Sequence, residues 1–556
     1  MEEFIFGTYA TDELKLVHHR AARSGLQHGH ALAPQDPLPD RTVAITVCTG
    51  PDLPVEQVAC YYTLDGSEPD GARGLARNGQ VLMLEEVGVA WDTLLWGYVT
   101  RWQATLPPQA EGTVVRYRLG AWAGAGPETF ADWPEAGARA EQAAAAFFRG
   151  EPLPDLPPGD PAAGHTFAYS VDRLGPPPWA RETVIYQVFV DRFYPGQGRD
   201  WIQTEDLLGF CGGTLWGLAE KLDYVADLGA TCLWLSPIFT SPTHHGYDAT
   251  DLTRVEPRLG GDEALRTLVA EAHRRGIRVL LDYVCNHVSH QHPIFQDALS
   301  NPASPYRNWF TFDDGSEAGY RTYFGVPSMP EVNVAHPGAR GWLIDTARTW
   351  LREFEVDGFR LDHANGPGPD FWTDFWRACK EEKPDCFCFG EVIDTPDVQR
   401  TYLGRLDGCL DFYLGEALRR TFALGTRTEA ELERFLERHS AFFPDTFVMP
   451  TFLDNHDMDR FLYIARGDKD ALRRAAAVQM RLPGPPIIYY GTEVGLSQRA
   501  GMAEGHGMHV SRVPMAWGDD QDRALLAYYK ELIRERRTRS LPRGKGASSL
   551  SPGGEG

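Results

Sequence analysis

The 556-residue chain has few cysteines, no long apolar run and no excess of positive charge, and each shortage removes a class of function. Its nine cysteines (48, 60, 211, 232, 285, 379, 386, 388 and 409) are scattered, odd in number and free of CxxC pairs. That pattern excludes a disulfide framework or a zinc ribbon and fits reduced, buried thiols. Cys386 and Cys388 alternate within CFCFGEV and read as packing on one strand face. Lysine and arginine total 54 against 77 acids, a net charge of -23, so the basic face needed by a nucleic-acid or anionic-membrane partner is missing. The start, MEEFIFGTYATDELK, is acidic where a secretory signal is basic, and no stretch of signal or membrane length follows, so the expected location is the cytoplasm. What is present, 43% hydrophobic and 24% charged residues, describes a globular chain of two or three domains with a neutral substrate.

Up to about residue 150, short runs such as TVAITVC, ACYYTLDGSEPDG and TVVRYRLGAW, separated by Gly, Pro and Asp turns, predict an antiparallel β-sandwich over 1–150. RGEPLPDLPPGDPAAG opens a proline-rich linker placed at 151–178. From there to 537, apolar strands alternate with amphipathic helices. The strands are expected at 183–190, 231–236, 278–284, 358–362, 386–391, 409–414, 447–454 and 486–490. Eight such strands indicate a (β/α)8 TIM barrel. The irregular stretch 287–336 is too long for a simple connection and reads as a small subdomain inserted after strand 3. The low-complexity tail 538–556 is expected to be disordered.

Active sites of such barrels lie at the C-terminal strand ends, which here carry Asp282, Asp362, Glu391, Asp454 and Asp457, with His287 and His456 at the same rim. In DGFRLDHA (357–364), Arg360 and Asp362 share a strand face, and a guanidinium there is expected to lower the pKa of Asp362. Alone, the pair reads equally well as a structural ion pair. Several acids with histidines, without a cysteine nucleophile or a glycine-rich phosphate loop, point to acid–base chemistry on an uncharged polar substrate. Glycoside cleavage uses such a set, because a retaining mechanism needs two carboxyls roughly 5–5.5 Å apart. Adjacent strands, about 4.8 Å apart, can supply that spacing.

Four segments in order, DYVCNHVS (282–289), DGFRLDHA (357–364), FGEVID (389–394) and FLDNHD (452–457), resemble the sequence regions of glycoside hydrolase family 13, the α-amylase superfamily. MPEVN (329–333), SPIFTSPTHHGYDATD (236–251) and GPPIIYYGTEVGL (484–496) are similar to family sequence as well. The resemblance runs from about 180 to 537. It implies Asp362 as nucleophile, Glu391 as general acid and base, and Asp457 as the acid that binds and distorts the sugar. It further implies that Arg360 orients Asp362, that His287, His456 and His245 hydrogen-bond the sugar, and that Tyr247 stacks beneath it. Asn286 stands at a calcium-ligating position of many members but supplies one oxygen where calcium takes six to eight, so no cofactor is required and calcium stays an open expectation. Asp282 reads as a brace for Arg360 or for the third strand, Asp454 as a backbone acceptor, and His244, His290 and His292 as solvated loop histidines. Cys285 stands where the family often has proline, and the all-β domain that usually follows the barrel is not expected within the chain.

The resemblance is strongest to the neopullulanase, cyclomaltodextrinase and maltogenic amylase branch, implying retaining hydrolysis of α-1,4 and α-1,6 glucosidic bonds in starch-derived glucans, maltooligosaccharides, cyclodextrins or pullulan. A transglycosylase or isomerase of trehalose-synthase type would use the same intermediate. A non-catalytic carbohydrate-binding protein would be expected to have lost one of the three acids. The expected partner is the glucan, with neither nucleic acid nor membrane, and a homodimer is a candidate assembly. In the N-terminal domain, Tyr61, Tyr62, Trp91, Trp96, Trp102 and Trp122 read either as a glucan-binding face or, more simply, as core, leaving a carbohydrate-binding or dimerisation module as candidate roles.

Overall fold

The computed structural model describes residues 11–131, 143, 146, 150–152, 164–313, 316–504 and 507–539. They form two compact units, one of residues 1–175 with 368–377 and 393–406, the other of 176–367, 378–392 and 407–556. All of the expected tail except residues 538 and 539, and linker positions 153–163, lie outside the described residues.

The larger unit is built on eight parallel strands: β1 (Ile185–Val188), β2 (Cys232–Leu235), β3 (Arg278–Val284), β4 (Gly358–Asp362), β5 (Phe387–Gly390), β6 (Gly408–Cys409), β7 (Thr451–Phe452) and β8 (Pro486–Tyr489). Their order in the sheet is β6-β5-β4-β3-β2-β1-β8-β7. A parallel bridge between Gly408 and Val448 joins the two ends and closes the barrel. Nearly every strand residue is buried, because helices cover the outside while side chains fill the inside, which explains the near-continuous apolar runs. The surrounding helices are amphipathic. Gly261–Arg274, for instance, buries Ala264, Leu265, Leu268, Val269 and Ala272 on one face.

Two glycines set the strand spacing. Gly358 opens β4 at φ 139, and a Cβ there would come within 2.0 Å of the Phe387 carbonyl oxygen on β5. At Gly408 a Cβ would meet the Val448 carbonyl at 1.6 Å, so the closing bridge tolerates no side chain.

The expected sixth strand, 409–414, is corrected by the structure: β6 ends at Cys409 and a helix runs over Phe412–Phe422. Asp411 stops the strand, since its side chain accepts the Leu414 N–H at 3.1 Å and caps that helix. The seventh strand is likewise shorter than expected. The insertion after β3 is irregular, with a helix at Pro293–Ser300 and isolated bridges such as His287 to Glu331 and Phe310 to Val332, before the helix Pro337–Glu353.

The smaller unit is antiparallel. Its sheet runs Leu26–Gln27, Val43–Thr49, Gly97–Leu106, Gln80–Asp92, Gln57–Thr63, Thr113–Trp122, Thr129–Phe130. The long strand Gln80–Asp92 pairs with Gln57–Thr63 through its first half and with Gly97–Leu106 through its second, with a register shift between Glu86 and Gly88. Residues of both halves, among them Val43, Ile45, Val58, Cys60, Trp102 and Leu119, share one core. Phe167–Val171 pairs with Thr113–Trp122, so part of the span expected as linker is a fully buried strand of this unit. The aromatic residues divide: Tyr61, Tyr62, Trp102 and Trp122 are buried, whereas Trp91 and Trp96 are 47% and 77% exposed. All nine cysteines are free, eight of them buried. Among the described residues no helix is long and apolar enough to cross a membrane.

Candidate active site

Strands β3, β4 and β5 present Asp282, Arg360, Asp362 and, just past β5, Glu391 at one end of the barrel. Arg360 is fully buried and binds three acids. Its Nη1 donates to Asp282 Oδ1 at 2.7 Å and to Asp362 Oδ1 at 2.8 Å, and its Nη2 lies 2.7 Å from Glu391 Oε1. One planar guanidinium thus fixes carboxyls on three neighbouring strands, which the fork geometry of arginine permits and a lysine would not. Asp282 also accepts from Trp234 Nε1 at 3.1 Å and from the Tyr247 hydroxyl at 3.0 Å, as expected of a brace. His363 turns away from the strand at φ 39 and donates its N–H to Glu391 Oε2 at 3.0 Å. A positive φ at a non-glycine residue is held there only by its surroundings.

Asp457, in the turn after β7, accepts from Arg512 Nη2 at 2.8 Å and faces His456 Nε2 at 2.9 Å. Arg512 Nε additionally donates to the His456 carbonyl at 2.9 Å. Gln187 on β1 bonds His456 Nδ1 at 2.7 Å, and with the amide as donor the imidazole proton sits on Nε2, toward Asp457 and the Tyr247 hydroxyl. The Tyr247 and His456 rings are parallel, 5.5 Å apart and 3° inclined. His287 stacks on Tyr323 at 4.6 Å and its buried Nε2 has no protein partner. His245 Nδ1 accepts the Tyr247 N–H at 3.1 Å.

The expected lowering of Asp362 is corrected here. Burial raises its pKa well above the usual carboxylate range; Arg360 opposes this, but Glu391, Asp282 and Asp457 add to it. Glu391 is raised as well, by burial first and Asp457 next, against the pull of Arg360. The two carboxyls compete for one guanidinium, so the pair gives up its protons in two separated steps. Asp457 goes the other way: burial is outweighed by His456 and Arg512, which hold it ionised. Burial lowers His245 and His287 to about 3, so both are neutral imidazoles able to donate or accept.

Other expectations divide. Asp454 accepts from Thr492 Oγ1 at 2.9 Å and the Phe461 N–H at 2.8 Å, as a structural acceptor would. His244 and His292 are not solvated loop residues but buried, and His292 caps the helix Pro293–Ser300. The Asn286 side-chain oxygen lies where a Cβ on Gly366 would come within 1.9 Å, so it packs against that turn. Among the described residues, the one group of three His, Cys, Asp or Glu side chains placed to hold a metal is elsewhere. Sequence reasoning missed Gln187, Arg512 and Tyr323. The polar Gln187 inside an apolar strand was a usable signal. Arg512 and Tyr323 sit in irregular segments without one.

The chain matches a family model described as Alpha amylase, catalytic domain, over residues 187–532. It is 41% identical over 373 residues to Alpha-amylase 2 of Dictyoglomus thermophilum, covering 66% of this chain and 65% of that protein. It is 35% identical over 397 residues to Cyclomaltodextrinase of Geobacillus thermopakistaniensis, covering 68% and 66%. The chain thus spans just under two thirds of the length of these curated relatives. A solved Cyclomaltodextrinase structure superposes with a TM-score of 0.62 at 27% identity over 93% of this chain and 85% of that one. The family model spans more than half of the chain and the barrel that carries the acids: the chain belongs to the alpha-amylase family.

Proposed function

We infer that the protein is a retaining glycoside hydrolase that cleaves α-glucosidic bonds in starch-derived glucans. The observation that supports this reading is the single buried Arg360 guanidinium shared by Asp362 and Glu391, the closeness that a nucleophile and a proton donor acting on one anomeric carbon require. Asp362 attacks that carbon from the face opposite the leaving group and forms a β-glycosyl ester. Glu391 delivers its proton to the departing oxygen, then takes one from the water that opens the ester. Burial raises both carboxyls, so the pair holds on to a proton more tightly than free carboxyls do, and the assigned roles need that proton on Glu391 when Asp362 attacks. Asp457, ionised, bonds hydroxyls of the same sugar and opposes the positive charge of the oxocarbenium-like transition state. His287, whose Nε2 is unpartnered, and His245 supply neutral hydrogen bonds, His456 supplies a further one, and the Tyr247 ring gives the sugar an apolar floor.

The substrates we assign are maltooligosaccharides, cyclodextrins and pullulan, with α-1,4 and α-1,6 linkages both candidates, and the location we assign is the cytoplasm, supported by nine free thiols. Incubation with starch, pullulan, cyclodextrin, maltose and trehalose, followed by product analysis, tests the reading. Hydrolysis with retention at the anomeric carbon, abolished in Asp362→Asn, is the expected result. Full activity of that variant would sink the assignment, and isomerisation of maltose without net hydrolysis would give the site to the trehalose-synthase type of reaction.

A further inference from the structure

We propose that His30, His165 and Asp370 of the smaller unit form a binding site for a divalent transition-metal ion of the zinc type. The three residues come from distant parts of the chain, a turn after Leu26–Gln27, the segment entering the strand Phe167–Val171, and the first turn of the helix Gly368–Glu382. Both imidazoles aim the same nitrogen at the same oxygen. His30 Nε2 lies 3.0 Å and His165 Nε2 2.6 Å from Asp370 Oδ2. One ligand atom from each residue falls within 4.8 Å of the other two.

Three further features favour a coordinated ion over a plain hydrogen-bonded triad. The other carboxylate oxygen is already fixed, since Asp370 Oδ1 accepts the Ala168 N–H at 2.5 Å, the type of outer contact that orients a metal-binding carboxylate. His30 is fully buried at φ 52, a strained conformation for a residue with a side chain. Its Nδ1 is buried without a partner, so the ring is oriented by its edge contact with Phe167 and by what its Nε2 faces.

Neighbouring His28 is not part of the set, because its Nδ1 faces the Thr46 carbonyl at 2.7 Å and its Nε2 the Tyr117 hydroxyl at 2.8 Å. Tetrahedral zinc with bonds of about 2.0–2.1 Å separates its donors by roughly 3.3 Å, so each histidine nitrogen needs to draw away from Asp370 Oδ2 by less than about an ångström. The His165 side chain is 29% exposed, which gives the ion an entry path and leaves room for a water as fourth ligand. Arg405, which donates to the Ala168 carbonyl at 3.0 Å, counts against any cation here. The ion must therefore be one that imidazole binds strongly, zinc, cobalt or nickel, and not calcium or magnesium, which take oxygen ligands. Bound, it would clip the helix start at Asp370 to the turn at His30 and the strand entry at His165.

The test uses the full chain, stripped with chelator and then given zinc alone or cobalt alone. Expected are one zinc per chain retained through gel filtration, a rise in Tm that saturates at one equivalent, and visible absorption of a tetrahedral cobalt complex. His165→Gln, the least buried change, and Asp370→Asn should each lose all three signals, while His509→Gln, whose ring lies 5.5 Å from that of His244 in the larger unit, should keep them. Failure of the wild-type chain to retain zinc or develop the cobalt spectrum overturns the proposal without reference to any variant. So does zinc retention by folded His165→Gln equal to wild type.

Discussion

Replacing Arg512 by methionine tests whether the proposed chemistry depends on a residue that no motif marks. The substitution keeps much of the apolar stem and removes two contacts, the 2.8 Å bond to Asp457 and the 2.9 Å bond to the His456 carbonyl. A hydrogen bond to a charged group contributes about 1.5–3 kcal/mol, which corresponds to a loss of roughly 10- to 150-fold in kcat/KM if it is made in the transition state. The Asp457 side chain is 30% exposed, so water replaces part of what is lost and the lower half of that range is expected. The pH profile should move as well. Burial pushes the Asp457 pKa up, and His456 and Arg512 bring it down. Without Arg512 it rises, and because Asp457 must be ionised, the acid limb of kcat/KM should shift to higher pH. Arg512→Lys keeps the charge without the fork and should fall between. The assay is steady-state hydrolysis of a maltooligosaccharide across pH, with thermal unfolding to check the fold. A loss under about threefold, less than roughly 0.7 kcal/mol, with an unmoved acid limb would refute the reasoning.

Glu391→Gln should lower kcat by about 10²–10⁴ and remove the alkaline limb of the profile, since burial raises the Glu391 pKa and so moves the loss of its transferable proton toward higher pH; an intact alkaline limb would assign that limb to another group. His439 bonds Asp411 at 2.8 Å, and although burial lowers its pKa, Asp411 raises it more. A folded-state pKa above the unfolded value of 6.5 means stabilisation present in full below that pH and lost as pH rises through the higher folded value. The Tm advantage of wild type over His439→Gln should accordingly shrink from slightly acidic to alkaline pH, and a constant difference would contradict this. Lys380 is 2% exposed and 2.9 Å from buried Asp407, so Lys380→Met removes the cation beside a buried carboxylate and should cost about 3–5 kcal/mol in denaturant unfolding. Adding Asp407→Asn should recover part of that loss.

The sequence by itself determined the barrel, because strands covered on both faces must be apolar throughout, and acids at the ends of such runs can only lie at the rim. It placed Asp362, Glu391 and the brace Asp282 where β3, β4 and β5 present them. It could not place the end of β6, since CLDFYL is apolar enough for either state and the decision fell to Asp411 as a helix cap. Nor could it give the sign of the Asp362 shift. Arg360 two residues away suggested a lowered pKa, but burial and the fields of Glu391, Asp282 and Asp457 decided otherwise. Arg512 and the His30–His165–Asp370 triad were invisible for the same reason. Spacing along a chain encodes burial and periodicity, which are local, whereas a pKa or a ligand set is a sum over neighbours brought together from 205 or 340 residues apart, which only the tertiary structure supplies.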